Sequence, residues 1–216
     1  MSEEVSQTII TIDDHPLFRK GLADLIEMDA SLALIGEAAS GEEGLALAIE
    51  LEPDLVLLDI NMKGMNGLET LRALKAADLD SRVMMLTVSD SEEDVLAAIR
   101  AGADGYLLKD MEPEDTLESI RTAAGGKLVV SDRLTELLAA ALRSEAKTPY
   151  SSEEAALTIR ECEILLLIAE GLSNKLIARR VDISPATVKV HVKNILRKLN
   201  LNSRVEAAVW ALKHPQ

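Results

Sequence analysis

The chain has 216 residues, 48% hydrophobic and 28% charged with only 2% aromatic, a composition that excludes a disordered or fibrous protein and implies an aliphatic core. Its net charge of -14 hides a division, since residues 1 to 128 carry 10 Lys and Arg against 27 Asp and Glu, and residues 129 to 216 carry 13 against 10. The length suits one large domain or two small ones, and the charge split favours two parts with different partners, the basic one suited to a polyanion.

The first 128 residues alternate short apolar runs with helical patterns. Runs at 8–12 (TIITI), 32–37 (LALIGE), 54–58 (DLVLL), 82–87 (RVMMLT) and 105–108 (GYLL) read as strands. Apolar residues recur at helical spacing over 16–28, 42–51, 67–77, 92–101 and 113–124. Strict β/α alternation predicts a five-stranded parallel sheet with helices on both faces, because strands buried on both sides read as continuous apolar runs. A further helical pattern spans 131–144, and KTPYSSEE at 147–154 has the Pro, Ser and acid of a linker. From Leu157 onward only helical patterns remain, at 159–170, 174–181, 185–199 and 203–213. We therefore expect an α/β domain over 1–128, a linker with a helix over 129–154, and an all-α four-helix domain over 155–216. No apolar run approaches the roughly 20 residues of a membrane helix, and MSEEVSQT lacks a basic n-region. The lone Cys162 excludes an internal disulfide or a cysteine metal cage. A cytoplasmic location with no membrane partner is expected.

Ligands of open parallel sheets sit at the carboxyl ends of the strands. Asp13 and Asp14 follow the first strand, Asp59 the third, Thr87 the fourth and Lys109 the fifth. Separately, an Asp pair is commonly a helix cap and a lysine a solvated charge; their shared sheet edge is what such readings leave unexplained. Crowded carboxylates call for a cation, and oxygen ligands suit Mg²⁺. Asp59 would then attack a phosphoryl group whose oxygens Lys109 and Thr87 hold. His15 and Pro16 read as the start of the first helix rather than as ligands.

The motifs IDDHP, VLLDINM, LTVS and GADGYLLKD resemble those of response-regulator receiver domains. That resemblance implies Asp59 as phosphoacceptor, Asp13 and Asp14 as the acidic pair, and a backbone carbonyl of Asn61 as a further Mg²⁺ ligand. It also implies Thr87 and Lys109 as the switch hydroxyl and lysine, and Tyr106 as the aromatic that turns inward on activation. The phosphoryl donor would be a sensor histidine kinase, and the chain's own chemistry only self-phosphorylation and slow autodephosphorylation. One departure is Lys63, where receivers usually have proline.

In the rear part, NKLIARRVDISPATVKVHVKNILRKL at 174–199 gives two helices joined by a short turn. Val188, Val192, Ile195 and Leu199 share one face of the second helix, and Ala186, Lys189, Val190, Lys193 and Arg197 the other. Such a basic face is usually only solvated, but it is also what a recognition helix offers to a major groove. The segment from Leu157 to Ala211 resembles the LuxR-type four-helix DNA-binding domain, especially GLSNK and TVKVH. Carried over by position, Lys189, Val190 and Lys193 face bases, with Lys175, Arg179 and Thr187 near the backbone of double-stranded promoter DNA. Val205, Ala208, Val209 and Leu212 on the last helix correspond to the homodimer contact, and RNA polymerase is a further candidate partner. Ile159 and Cys162 stand where the family usually has proline and arginine.

Together the two parts resemble the NarL/FixJ class of response regulators. The resemblance implies a phosphorylation-dependent transcription factor, with nitrate and nitrite respiration genes as targets, in which the unphosphorylated receiver covers the recognition helix. Two alternatives are a receiver whose helical domain binds protein, and an aspartyl-phosphate hydrolase. Hydrolases of that kind usually place an acid two residues after the nucleophile, where this chain has Asn61.

Overall fold

The computed structural model describes residues 6–88, 91–129, 135–136, 138 and 151–214. The front half is a five-stranded parallel sheet in the order β2-β1-β3-β4-β5, with β1 Gln7–Ile12, β2 Leu32–Ala38, β3 Leu55–Asp59, β4 Arg82–Thr87 and β5 Gly105–Leu108. Helices α1 Pro16–Glu27, α2 Gly41–Leu51, α3 Gly67–Ala76, α4 Glu92–Arg100 and α5 Pro113–Ala124 alternate with them. β3 and β4 are buried at every position, which is why they read as unbroken apolar runs. Alternate strand residues point to opposite faces: Ile9, Leu55, Leu57, Met84 and Leu86 meet α1 and α5, and Ile10, Val56, Leu58, Val83 and Met85 meet α2, α3 and α4.

The rear half holds α6 Ile159–Ala169, α7 Asn174–Val181, α8 Pro185–Leu199 and α9 Arg204–Lys213. Each starts on a side chain that accepts a hydrogen bond from an otherwise orphaned amide: Thr158, Ser173, Ser184 and Ser203. Asp182 closes α7 in a left-handed conformation at φ 53°, and this sharp turn sets α8 across α7 as a helix-turn-helix.

One sequence expectation changes and another is only partly covered. The pattern at 131–144 and the linker up to residue 150 lie outside the described residues, apart from Thr135, Glu136 and Leu138, which are helical. The stripe assigned to a dimer contact is mostly core: Val205, Ala208 and Val209 are at most 1% exposed and only Leu212 is open, because α9 lies against α6 and also against α4 of the front half. Periodicity marks a buried face without saying what buries it. Trp210, the chain's one tryptophan, is enclosed in the same helix and stacks on His214 at 4.6 Å between ring centroids.

Gly67 begins α3 directly behind the end of β3. A Cβ there would stand 2.1 Å from the Asp59 carbonyl oxygen and 2.6 Å from Ile60 Cα, so only glycine allows this approach. Gly67→Ala should cost about 1–3 kcal/mol of stability in urea unfolding, the range for overpacking a filled site, and should displace Asp59.

Candidate functional site

The front-half pocket lies between the carboxyl ends of β1 and β3, where the strand order reverses. β1 leads into Asp13 and Asp14, and β3 ends on Asp59. Asp13 and Asp59 are buried to within 1% of completely. Two such carboxylates repel each other unless a cation intervenes, and Lys109 does so: its Nζ lies 2.7 Å from Asp13 Oδ2 and 2.9 Å from Asp59 Oδ1. The Lys109 amide donates to the Thr87 carbonyl at 2.7 Å, and its ammonium stands 4.5 Å from the Phe18 ring centroid. Thr87 is fully buried at the end of β4. Tyr106, on β5, is half-buried against the core.

The carboxylates keep spare valence. Asp14 Oδ1 and Asp59 Oδ2 are buried with no hydrogen-bond partner among the described residues. His15 Nδ1 lies 3.0 Å from the first and 3.8 Å from the second. One ligand atom each from Asp13, Asp14, His15 and Asp59 falls within 4.8 Å of the others. Orphaned carboxylate oxygens gathered in this way fit a divalent cation with a preference for oxygen. Burial pushes the Asp59 carboxyl above the usual carboxylate range, aided by the charge of Asp13 and opposed by Lys109 and a hydrogen bond from the Asn61 amide. Asn61 itself is exposed in the loop after β3, as is Lys63, whose amide donates to Asp14 Oδ2 at 3.2 Å.

The sequence reading thus named five residues that the fold brings together, Asp13, Asp14, Asp59, Thr87 and Lys109, and treated His15 only as a helix start. His15 is the N-cap position of α1 but makes no cap with its side chain; its imidazole turns to the carboxylates instead. The adjacency in DDH was the available signal.

On α8, Val188, Val192, Ile195 and Leu199 are buried in the bundle, whereas Thr187, Val190, Lys193 and Arg197 are exposed. The basic face is engaged by the front half. Lys189 donates to the Asp78 carbonyl and lies 3.2 Å from Asp78 Oδ1 and 3.5 Å from Asp80 Oδ1. Lys193 reaches the same Asp78 oxygen at 3.1 Å. Hydrogen bonds from Lys193 and Lys189 hold the Asp78 carboxyl below its ordinary range. Lys175, on α7, pairs with Asp54 at 2.7 Å, while Arg179 is exposed. The acids Asp54, Asp78 and Asp80 escaped sequence reasoning, since loop carboxylates are normally solvated and have no periodicity to mark them.

Residues 9–121 match the response regulator receiver domain and residues 155–211 the bacterial regulatory proteins of the luxR family. The nitrate/nitrite response regulator protein NarL of Escherichia coli K12 is 54% identical over 210 residues, covering 97% of each chain. The chain belongs to the LuxR-type response regulators. NarP of the same organism, also a nitrate/nitrite response regulator, is 45% identical over 99% of this response regulator and 98% of its own chain. A crystal structure of ChrA, from a heme-sensing two-component system, aligns over 97% of this chain and 98% of its own, with a TM-score of 0.51 at 32% identity. Among the described residues of this regulator no helix is long and apolar enough to cross a membrane.

A carboxyl with a raised folded-state pKa is destabilising where it is ionised, so Asp59 opposes folding increasingly as pH rises from the ordinary carboxylate value through its own raised one. Asp59→Asn should therefore raise the melting temperature at pH 7 in metal-free buffer. The gain should shrink as pH falls into the ordinary carboxylate range, as thermal unfolding monitored by circular dichroism at several pH values would show.

Proposed function

We propose that this chain is a phosphorylation-switched regulator of transcription in the nitrate and nitrite response, with residues 1–128 as receiver, 129–154 as linker and 155–216 as DNA-binding domain. The relatives that span nearly its whole length, NarL and NarP, support the choice of signal. In this reading a sensor histidine kinase presents a phosphohistidine, an Asp59 oxygen attacks phosphorus, and the P–N bond breaks with its electron pair passing to the imidazole. Lys109 meets the transferred oxygens with positive charge at one side, and the Thr87 hydroxyl offers a hydrogen bond. Asp13, Asp14, Asp59 and the Asn61 backbone would hold Mg²⁺, which when bound neutralises charge on the phosphoryl group. The orphaned oxygens of Asp14 and Asp59 support that assignment. Phosphoryl acceptance and slow loss are the extent of the chain's chemistry.

The observation that carries the switch is that Asp78 holds Lys189 and Lys193, the lysines assigned to base edges, with Val190 between them. Thr187, Lys175 and Arg179 are the phosphate-side contacts in this reading, and Lys175 is likewise held, by Asp54. Asp78 and Asp54 put carboxylates where DNA would put phosphates, so the closed form and the DNA complex compete for the same cations. Phosphorylation shifts the population toward the open form. Protection mapping on promoter DNA should show binding strengthened by phosphorylation of Asp59; equal binding in both states would overturn the switch.

Exposed ion pairs contribute about 0–1 kcal/mol each. The double substitution Asp78→Ala, Asp80→Ala should accordingly tighten DNA binding by the unphosphorylated protein about three- to tenfold, as measured by fluorescence anisotropy. For the open, phosphorylated form, replacing both Lys189 and Lys193 by Ala should lower the slope of log affinity against log salt by roughly 2, given about 0.9 per phosphate contact. An unchanged slope would remove these lysines from the interface.

A further inference from the structure

A second cavity, of about 610 Å³, opens between the two halves. It lies at the amino ends of β1, β3 and β4, at the opposite edge of the sheet from Asp59. Its walls hold more cations than they neutralise. Lys75 is matched by Asp104 at 2.6 Å and Lys175 by Asp54. Arg82 and Arg204 also line it, and neither forms an ion pair with a carboxylate among the described residues.

Arg82 is 8% exposed. It donates to the carbonyls of Ala123 and Lys127 and, across the cleft, to that of Gly171 at 3.3 Å. Arg204 donates to Asn174 Oδ1 at 2.8 Å and to the Leu172 carbonyl. The two guanidiniums feel each other: burial and the charge of Arg82 bring Arg204 down to about 10, with Asp104 opposing. Ser81, 9% exposed, also lines the cavity, and its buried hydroxyl has no hydrogen-bond partner among the described residues. A buried hydroxyl without a partner is costly, and so are two mutually repelling buried guanidiniums whose nearby carboxylate, Asp104, is already paired with Lys75.

We propose that this cleft is a phosphate-binding site, formed by Arg82 and Ser81 from the receiver and Arg204 from the DNA-binding domain. Guanidinium forks match phosphate oxygens in pairs, and a phosphate has acceptors enough to take the hydroxyl as well. The cavity also has room beyond one phosphate, so free phosphate and the phosphate of a nucleotide share the required chemistry. Because both halves complete the site, its occupant favours the closed arrangement over the DNA-bound one. That consequence rests on the switch proposed above; the binding site itself does not.

Isothermal titration of the full-length unphosphorylated chain with inorganic phosphate and with adenosine monophosphate, at constant ionic strength and without Mg²⁺, tests it. Saturable binding of one anion per chain is expected, weakened about tenfold by Ser81→Ala through the lost hydrogen bond and abolished by Arg82→Gln. Tighter binding of the nucleotide would assign a nucleotide phosphate, and equal or weaker binding free phosphate. Ser81→Ala removes only the orphaned hydroxyl, so without phosphate it should melt at a higher temperature than wild type and remains a folded test if Arg82→Gln unfolds. No saturable heat from either probe, or an affinity unchanged in Ser81→Ala, overturns the proposal and leaves the arginines as cross-links between the halves.

Discussion

The front half is organised around a charge conflict. Parallel strands with right-handed crossovers all end on one edge of the sheet, and there β1 and β3 bring Asp13 and Asp59 into the same buried space. One lysine, Lys109, stands between them. It leaves Asp59 with a raised proton affinity and an unpaired oxygen, so the pocket is short of positive charge by construction. In the proposed function a metal ion with a phosphoryl group completes it, and the raised proton affinity of Asp59 is the stability given up for that arrangement.

Helix α8, the recognition helix of the proposed function, is held at the other edge of the sheet. β4 connects the two: Thr87 closes it beside the acidic pocket, and Arg82 opens it beside the rear half, with Asp78 and Asp80 in the turn just before. Six extended residues span roughly 20 Å at about 3.3 Å each. A strand buried on both faces is a stiff connector, and α4, which follows it, also touches α9. Coupling between pocket and helix therefore needs no long relay, only two arrangements of a strand and helix that already touch both ends.

Most of this fold was legible because its elements obey simple periods. Among the described elements the strand and helix limits read from apolar spacing agree with the structure to within about two residues, and strand order then dictates that Asp13, Asp59, Thr87 and Lys109 share an edge. What could not be read depends on how two halves dock. Asp54, Asp78 and Asp80 look like ordinary solvated acids, and their partners lie more than 100 positions away. The stripe on α9 shows the same limit from the other side, since Val205, Ala208 and Val209 could equally have faced a second copy of the chain. His15 was within reach, being adjacent to Asp14, but a histidine before proline at a helix start gives no hint of which way its ring turns.

Trp210 sits in the helix that rests on α4, enclosed and stacked on His214. The receiver contains no tryptophan, so the tryptophan emission of the whole chain, excited beyond the absorption of its two tyrosines, comes from this one helix. In the proposed switch α9 leaves α4, and the helix that moves carries the molecule's one indole, a label-free optical gauge of closure.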